Sequence, residues 1–255
     1  NLLGEQACVS LLGGWGFVMR TVNMITTDMN SGLTYLLNTP LLSSLNERER
    51  ETFKKKSHLK EFDAGHSIVE QGDFNTQVFF ILKGTAHVLN YSESGRAITY
   101  AALTDGDMFG EMAAIDGLPR SAWVCSITNC KVIYLSGTDF IELVTGNPNM
   151  ALAVLKKLSF NLRLSDERLT DISLLGVEQR VCIELIRMAQ PDLANPGSHV
   201  ILEMPTQVNF ASMVGSSRET ISRIFGRLKD DAIITRFDRG YRIPSRERLK
   251  QRAFT

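Results

Sequence analysis

Cysteine, histidine and tryptophan are scarce in these 255 residues, with four, four and two copies. Cys8, Cys125, Cys130 and Cys182 are too few and too scattered for a disulfide framework, and none forms a CxxC pair. His58, His66, His87 and His199 do not gather around them, so structural zinc is not expected. No apolar run reaches the length of a membrane span. The stretch 2–24 is apolar and glycine-rich, yet Glu5, Gln6, Arg20 and Asn23 interrupt it. It lacks the basic start and compact apolar core of a signal peptide, so residues 1–30 read as an extension with little order, and the cytoplasm is the expected address. Nothing points to catalysis: there is no nucleophile–base pair, Walker loop or metal-ligand spacing. Net charge is absent too, with 28 basic and 28 acidic side chains.

The charge that is present is unevenly spread. Residues 206–255 hold 11 basic side chains against five acidic ones, which leaves the rest of the chain net acidic. A basic C-terminal fifth suggests a nucleic-acid-binding domain joined to an acidic partner domain. The composition, 44% hydrophobic and 22% charged, is that of a globular protein, and the length suits two domains. Residues 33–56 read as helix, with the run 47–51 as its solvated face. From Leu59 to Leu135, short β-branched and aromatic runs alternate with glycine turns about every ten residues, which is the grammar of an antiparallel sandwich or jelly roll. A helical pattern then begins at Asn149. Leu155, Leu158, Leu162, Ser165, Leu169 and Ile172 are separated by 3, 4, 3, 4 and 3, a heptad seam that pairs a helix with a copy of itself. A helix packed on its own domain is the alternative. Ser165, a hydroxyl in mid-seam, favours the pairing, because a buried polar group calls for a partner or a ligand.

Chemistry concentrates in two places. In the segment 110–122, Gly110 lets the backbone approach an anion, and the N–H groups opening a short helix at Glu111, Met112 and Ala113 face it. Arg120 offers a fixed fork of donors to a phosphate, Ser121 and Ala122 follow it, and Glu111 is a carboxylate suited to a ribose 2′-hydroxyl. A structural ion pair between Glu111 and Arg120 is the competing reading. In the second place, Met213 to Ser217 supply an apolar stop, a glycine turn and a serine cap, the pattern of a helix-turn-helix. At 100° per residue, Ile221, Ile224, Phe225 and Leu228 share one arc. Ser217, Arg218, Glu219, Thr220, Ser222 and Arg223 supply the polar face, and Gly226 permits close approach. Arg–guanine and Glu–cytosine are the pairings that major-groove geometry favours, although a solvated amphipathic helix would look similar. A hairpin around Asp238-Arg239-Gly240 completes a winged module.

The string Gly-Glu-Met-Ala-Ala-Ile-Asp-Gly-Leu-Pro-Arg-Ser-Ala resembles the phosphate-binding cassette of the CRP/FNR family, in its cAMP-receptor branch, and the Arg-Glu-Thr string of the second helix resembles that branch's recognition helix. The resemblance covers about residues 33–244. It implies an α+β protein: a β-roll (jelly-roll) cyclic-nucleotide-binding domain over 31–146, a dimerisation helix over 147–175, and a winged helix-turn-helix over 176–255. It also implies a homodimer that binds cAMP through Gly110, Glu111, Met112, Ala113, Arg120, Ser121, Ala122, Ser165 and Asp166. That dimer then binds palindromic TGTGA-type operators in double-stranded DNA, and the loop 190–199 touches RNA polymerase. An iron–sulfur cluster is not implied, because the cysteine spacing of the oxygen-sensing branch is missing; neither a metal, a haem nor a membrane partner is implied. The family's dimer helix presents two adjacent hydroxyl residues to the purine, where this chain has Ser165 and Asp166. A carboxylate accepts well from guanine N1–H and N2–H₂, so cGMP is a second candidate ligand. A regulator answering to cGMP or another small effector, with cAMP incidental, is the alternative.

Overall fold

The computed structural model describes residues 29–91, 97–202 and 204–254. The expected extension over 1–30 therefore lies outside the described residues, apart from its last two. Two compact units meet between Asn161 and Leu162.

The first unit begins with α1 (Met29–Leu37) and α2 (Glu47–Lys56). The sequence suggests one helix here, and there are two. The chain turns around Pro40, and Asn46 restarts it with a capping box: its side chain accepts from Glu49 N at 3.1 Å, and Glu49 accepts from Asn46 N at 2.8 Å. The strands follow as β1 (His58–Phe62), β2 (Ser67–Val69), β3 (Val78–Lys83), β4 (Ala86–Tyr91), β5 (Ala97–Leu103), β6 (Met108–Phe109), β7 (Trp123–Ser126) and β8 (Cys130–Leu135). Between β6 and β7 sits the short α3 (Glu111–Asp116); α4 (Gly137–Gly146) and α5 (Pro148–Leu174) come after β8. The strands form two antiparallel four-stranded sheets, β1-β8-β3-β6 and β2-β7-β4-β5. The run Val78 to Leu82 is continuously apolar because β3 is buried on both faces. Phe79 and Ile81 join Val69, Ala86, Leu103 and Val124 in the core between the sheets. Val78, Phe80 and Leu82 join Leu36, Phe53, Phe140, Met150 and Val154 beneath the helices.

The second unit holds α6 (Val177–Met188), β9 (Gln190–Pro191), β10 (His199–Ile201), α7 (Gln207–Met213), α8 (Arg218–Asp230), β11 (Thr235–Phe237), β12 (Gly240–Ile243) and α9 (Arg246–Phe254). Its sheet runs β11-β12-β10-β9, so the expected two-stranded wing is half of a larger sheet. One core gathers Val181, Leu185, Phe210, Ile221, Ile224, Phe225, Leu228, Tyr241 and Leu249. The Phe210 and Phe225 rings meet edge-on at 5.4 Å. Burying four such side chains of α8 contributes roughly 1.5–3 kcal/mol each.

Candidate functional site

The cassette residues converge where β6 ends. Gly110 adopts φ +82°, which favours glycine, and a Cβ there would lie 2.7 Å from Arg120 Nη1 and 2.9 Å from the Gln77 carbonyl. The close approach that Gly110 allows is thus first an approach of Arg120. Arg120 is buried, and its Nη1 donates to Gly110 O at 2.7 Å while Nη2 donates to Gln77 O at 2.6 Å. These two carbonyls, and the hydrogen bond from Arg120 N to Asp73 O at 2.8 Å, fix the guanidinium plane. Its Nε is buried without a hydrogen-bond partner, an orphaned donor of the kind that an anion satisfies.

Glu111 opens α3 and is buried, as is Ala113, whereas Met112 is exposed. Burial pushes the Glu111 carboxyl above the usual carboxylate range; its own backbone N–H and the charges of Lys157 and Arg120 pull the other way. Burial likewise lowers the Arg120 guanidinium, opposed by Asp73 and Glu111, but an arginine remains charged throughout the working range of pH. The guanidinium is spent on carbonyls rather than closed in an ion pair with Glu111, which weakens the competing structural reading. Ser121 is exposed, with its Oγ 3.8 Å from Met112 Sδ, and Ala122 is half-buried. A buried orphan donor, a backbone that admits no Cβ and a buried carboxylate fit a small anion bearing a hydroxyl. Asn75, Gln77 and Lys157 were not singled out in the sequence. Gln77 acts through its carbonyl, which carries no side-chain signal.

Along α5, Met150 and Val154 are buried and Leu158 packs against the helical core of the first unit. Leu158 thus departs from the expected seam, whereas its other apolar positions, Leu155, Leu162, Leu169 and Ile172, are 60%, 63%, 66% and 54% exposed. A soluble helix rarely leaves such a row in water unless a partner covers it. Ser165 and Asp166 are exposed on the part of α5 that belongs to the second unit.

In the second unit Thr206 and Ser217 cap α7 and α8, accepting from Asn209 N and Thr220 N at 3.2 Å each. Gly215 turns the chain between them at φ +64°. Arg180 of α6 holds that turn, donating from Nε to Val214 O at 2.9 Å and from Nη2 to Gly215 O at 3.3 Å. Ile221, Ile224, Phe225 and Leu228 are buried; Ser217, Arg218, Glu219, Ser222 and Arg223 are exposed and Thr220 is half-buried. A Cβ on Gly226 would meet nothing within 4 Å, so that face is open. Arg223 Nη2 donates to Thr220 Oγ1 at 3.3 Å, which orients the side chain along the helix. Backbone and Ser217 hydrogen bonds hold the Glu219 carboxyl below its ordinary value. The wing turn uses Asp238 at φ +46°, a conformation a short polar side chain tolerates. Asp192, held down to about 2 by hydrogen bonds from Asn195, Ala194 N, Arg242 and Ser198, braces the loop before β10. Leu193 beside it is 98% exposed.

Among the described residues no group of His, Cys, Asp and Glu could hold a metal ion, and no helix is long and apolar enough to cross a membrane. Residues 59–147 match the family model of the cyclic nucleotide-binding domain, and residues 179–252 match that of the Crp-like helix-turn-helix domain. The chain is 28% identical over 187 residues to the cAMP-activated global transcriptional regulator CRP of Salmonella typhimurium, covering 72% of this chain and 89% of that one. It is 27% identical over 182 residues to the cAMP-activated global transcriptional regulator Vfr of Pseudomonas aeruginosa, covering 69% and 85%. Among solved structures, a CooA variant from Carboxydothermus hydrogenoformans has a TM-score of 0.69 at 16% identity, covering 87% and 95%. The c-di-GMP responsive global regulator CLP of Xanthomonas campestris has a TM-score of 0.65 at 18% identity, covering 78% and 99%. These last two likenesses concern the fold.

Proposed function

The chain belongs to the CRP/FNR family of transcription regulators, a family of DNA-binding proteins rather than enzymes, and from that premise we propose that it is a homodimeric regulator that binds cAMP and then a palindromic TGTGA-type operator. The observation that carries the ligand is the orphaned Nε of Arg120, buried beside Gly110. Arg120 holds the phosphate, the first N–H groups of α3 at Glu111, Met112 and Ala113 support it, and Glu111 accepts from the ribose 2′-hydroxyl. Ser121 and Ala122 line the same edge, and Ser165 and Asp166 serve the purine. We assign 31–146 to the nucleotide-binding domain, 147–175 to the dimer helix and 176–255 to the DNA-binding domain.

The exposed seam of α5 supports the dimer, since covering Leu155, Leu162, Leu169 and Ile172 with a copy removes apolar surface from water. Arg218, Glu219 and Arg223 read bases while Ser217, Thr220 and Ser222 position the helix on the backbone. The loop 190–199, which Asp192 braces and on which Leu193 stands exposed, is the surface we assign to RNA polymerase. Phosphate and ribose are common to cAMP and cGMP, so discrimination lies at the purine edge, and the exposed Asp166 admits cGMP as a second ligand. Calorimetric titration of the pure protein with each nucleotide tests this reading: both should bind, and Asp166→Ser should weaken cGMP more than cAMP. An unchanged ratio removes Asp166 from the purine, and no binding of either nucleotide overturns the assignment.

A further inference from the structure

Asn90 lies outside both segments where the sequence concentrates its chemistry, yet β4 carries it to the cassette. Val88 packs against the core between the sheets, the same core whose Phe79 ring lies 5.9 Å beneath the Arg120 guanidinium carbon. The pairing of β4 with β5 shifts after Val88: Val88 lies opposite Ala101 and Leu89 opposite Thr99. The extra residue, Tyr100, is thus on β5, and the alternation along β4 is unbroken. Asn90 therefore shares the inner face with Val88, whereas Leu89 and Tyr91 pack with Cys125 on the other. There Asn90 Nδ2 donates to Ser121 O at 3.3 Å, with the Tyr100 hydroxyl oxygen 3.5 Å from it. A backbone carbonyl can only accept, so this bond fixes which end of the amide faces Ser121. Turning the amide over would set two acceptors against each other. The other end, Oδ1, is buried and has no hydrogen-bond partner among the described residues. The cassette and its border thus hold two orphans of opposite kind, a donor at Arg120 Nε and an acceptor at Asn90 Oδ1. An ionised cyclic phosphate offers acceptors only, which suits the arginine and not the amide oxygen. A buried acceptor calls for an N–H or O–H group.

Resting on the reading of this pocket as a cAMP site, with Arg120 on the phosphate and Glu111 on the ribose hydroxyl, we infer that Asn90 is a specificity-determining residue for the purine: its pinned Oδ1 accepts from the exocyclic amine of adenine. That amine carries the only N–H groups of the adenine base, and the ribose hydroxyl is already taken by Glu111. Guanine has a carbonyl oxygen at the same ring position, so in the same pose it would meet Oδ1 acceptor to acceptor. Asn90 therefore favours cAMP, and the preference it sets opposes the one proposed for Asp166. An asparagine that only tied β4 to the residue after Arg120 would, when replaced, weaken every cyclic nucleotide alike. One that reads the base affects only a ligand that bears the amine.

The test is calorimetric titration of the full chain, as wild type and as Asn90→Leu, with cAMP, with cGMP and with the cyclic phosphate of purine riboside, which is cAMP without the amine. Leucine is close to asparagine in size and offers no acceptor. Wild type should bind cAMP about tenfold more tightly than the analogue that lacks the amine, as one buried hydrogen bond provides. Asn90→Leu should weaken cAMP about tenfold, to the level of that analogue, and should weaken the analogue and cGMP by no more than about twofold. A wild type that binds the analogue as tightly as cAMP overturns the inference without recourse to any variant. Equal losses for all three ligands in Asn90→Leu, or no loss for cAMP, overturn it as well, and each of these results leaves Arg120 and Glu111 as ligands. A wild type that binds none of the three overturns instead the reading of the pocket on which the inference rests.

Discussion

Replacing Glu111 by glutamine should move stability and ligand affinity in opposite directions. The two side chains have the same shape, so the change removes a charge and little else. In the folded chain burial lifts the carboxyl above its ordinary value of 4.5, so the native state holds the proton more tightly than the unfolded chain does. The stability this group contributes is therefore greatest below its ordinary value and is lost as pH rises through the raised one. At neutral pH the buried charge costs folding energy, and glutamine relieves that cost. Glu111→Gln should accordingly melt higher than wild type at neutral pH, with the advantage vanishing in acid. Binding should suffer, because a hydrogen bond to a charged group is worth about 1.5–3 kcal/mol. That loss corresponds to cAMP bound about 10- to 150-fold more weakly. Thermal melting from acid to neutral pH, paired with calorimetric titration, reads both effects. A variant that melts lower than wild type at neutral pH, or that binds cAMP as tightly, would refute the reasoning.

Gly110→Ala forces a side chain into the left-handed region and against Arg120 Nη1 at 2.7 Å, so it should cost roughly 1–3 kcal/mol in denaturant melts and displace the guanidinium; undiminished cAMP binding would contradict that. Arg223→Ala should weaken operator binding by about 1–3 kcal/mol, whereas Glu219→Ala should relax discrimination at one base pair of each half-site, both measurable by competition with variant operators. A uniform loss across all sequences for Glu219→Ala would reduce that residue to positioning the backbone. Leu169→Glu places a charge on the exposed seam and should convert dimer to monomer in sedimentation, with wild-type melting of each unit; a dimer of unchanged affinity would dismiss the seam.

Local patterns were legible wherever one element's own surface carries the information. The buried arc of Ile221, Ile224, Phe225 and Leu228 follows from helical period alone, and the Ser217 cap follows from a side chain that competes for backbone N–H groups. What was not legible involves partners distant in sequence or backbone atoms. Arg120 stood out, but its two anchors are carbonyls, and a carbonyl looks the same at every residue. Lys157 falls on a polar face of α5, where lysine is unremarkable until Asp107 is brought to it. The strands β9 and β10 are two and three residues long and exist only because they pair with each other and β10 pairs with β12, so no periodicity could announce them. The helix α9, nine polar-rich residues, forms because Leu249 and Ala253 find the core of the second unit. The helix expected over 33–56 broke because the turn around Pro40 and the Asn46 cap outweigh the helix-forming residues on either side.

Fluorescence anisotropy of a duplex carrying a palindromic TGTGA-type site, titrated with the full chain with and without cAMP over a range of salt, joins the nucleotide site to the DNA face in one reading. The nucleotide should convert weak, strongly salt-dependent binding that ignores sequence into tight binding that a scrambled duplex does not compete away. Equal affinity for the site and the scrambled duplex in the presence of cAMP, or equal affinity for the site with and without it, would contradict a cyclic-nucleotide-responsive regulator.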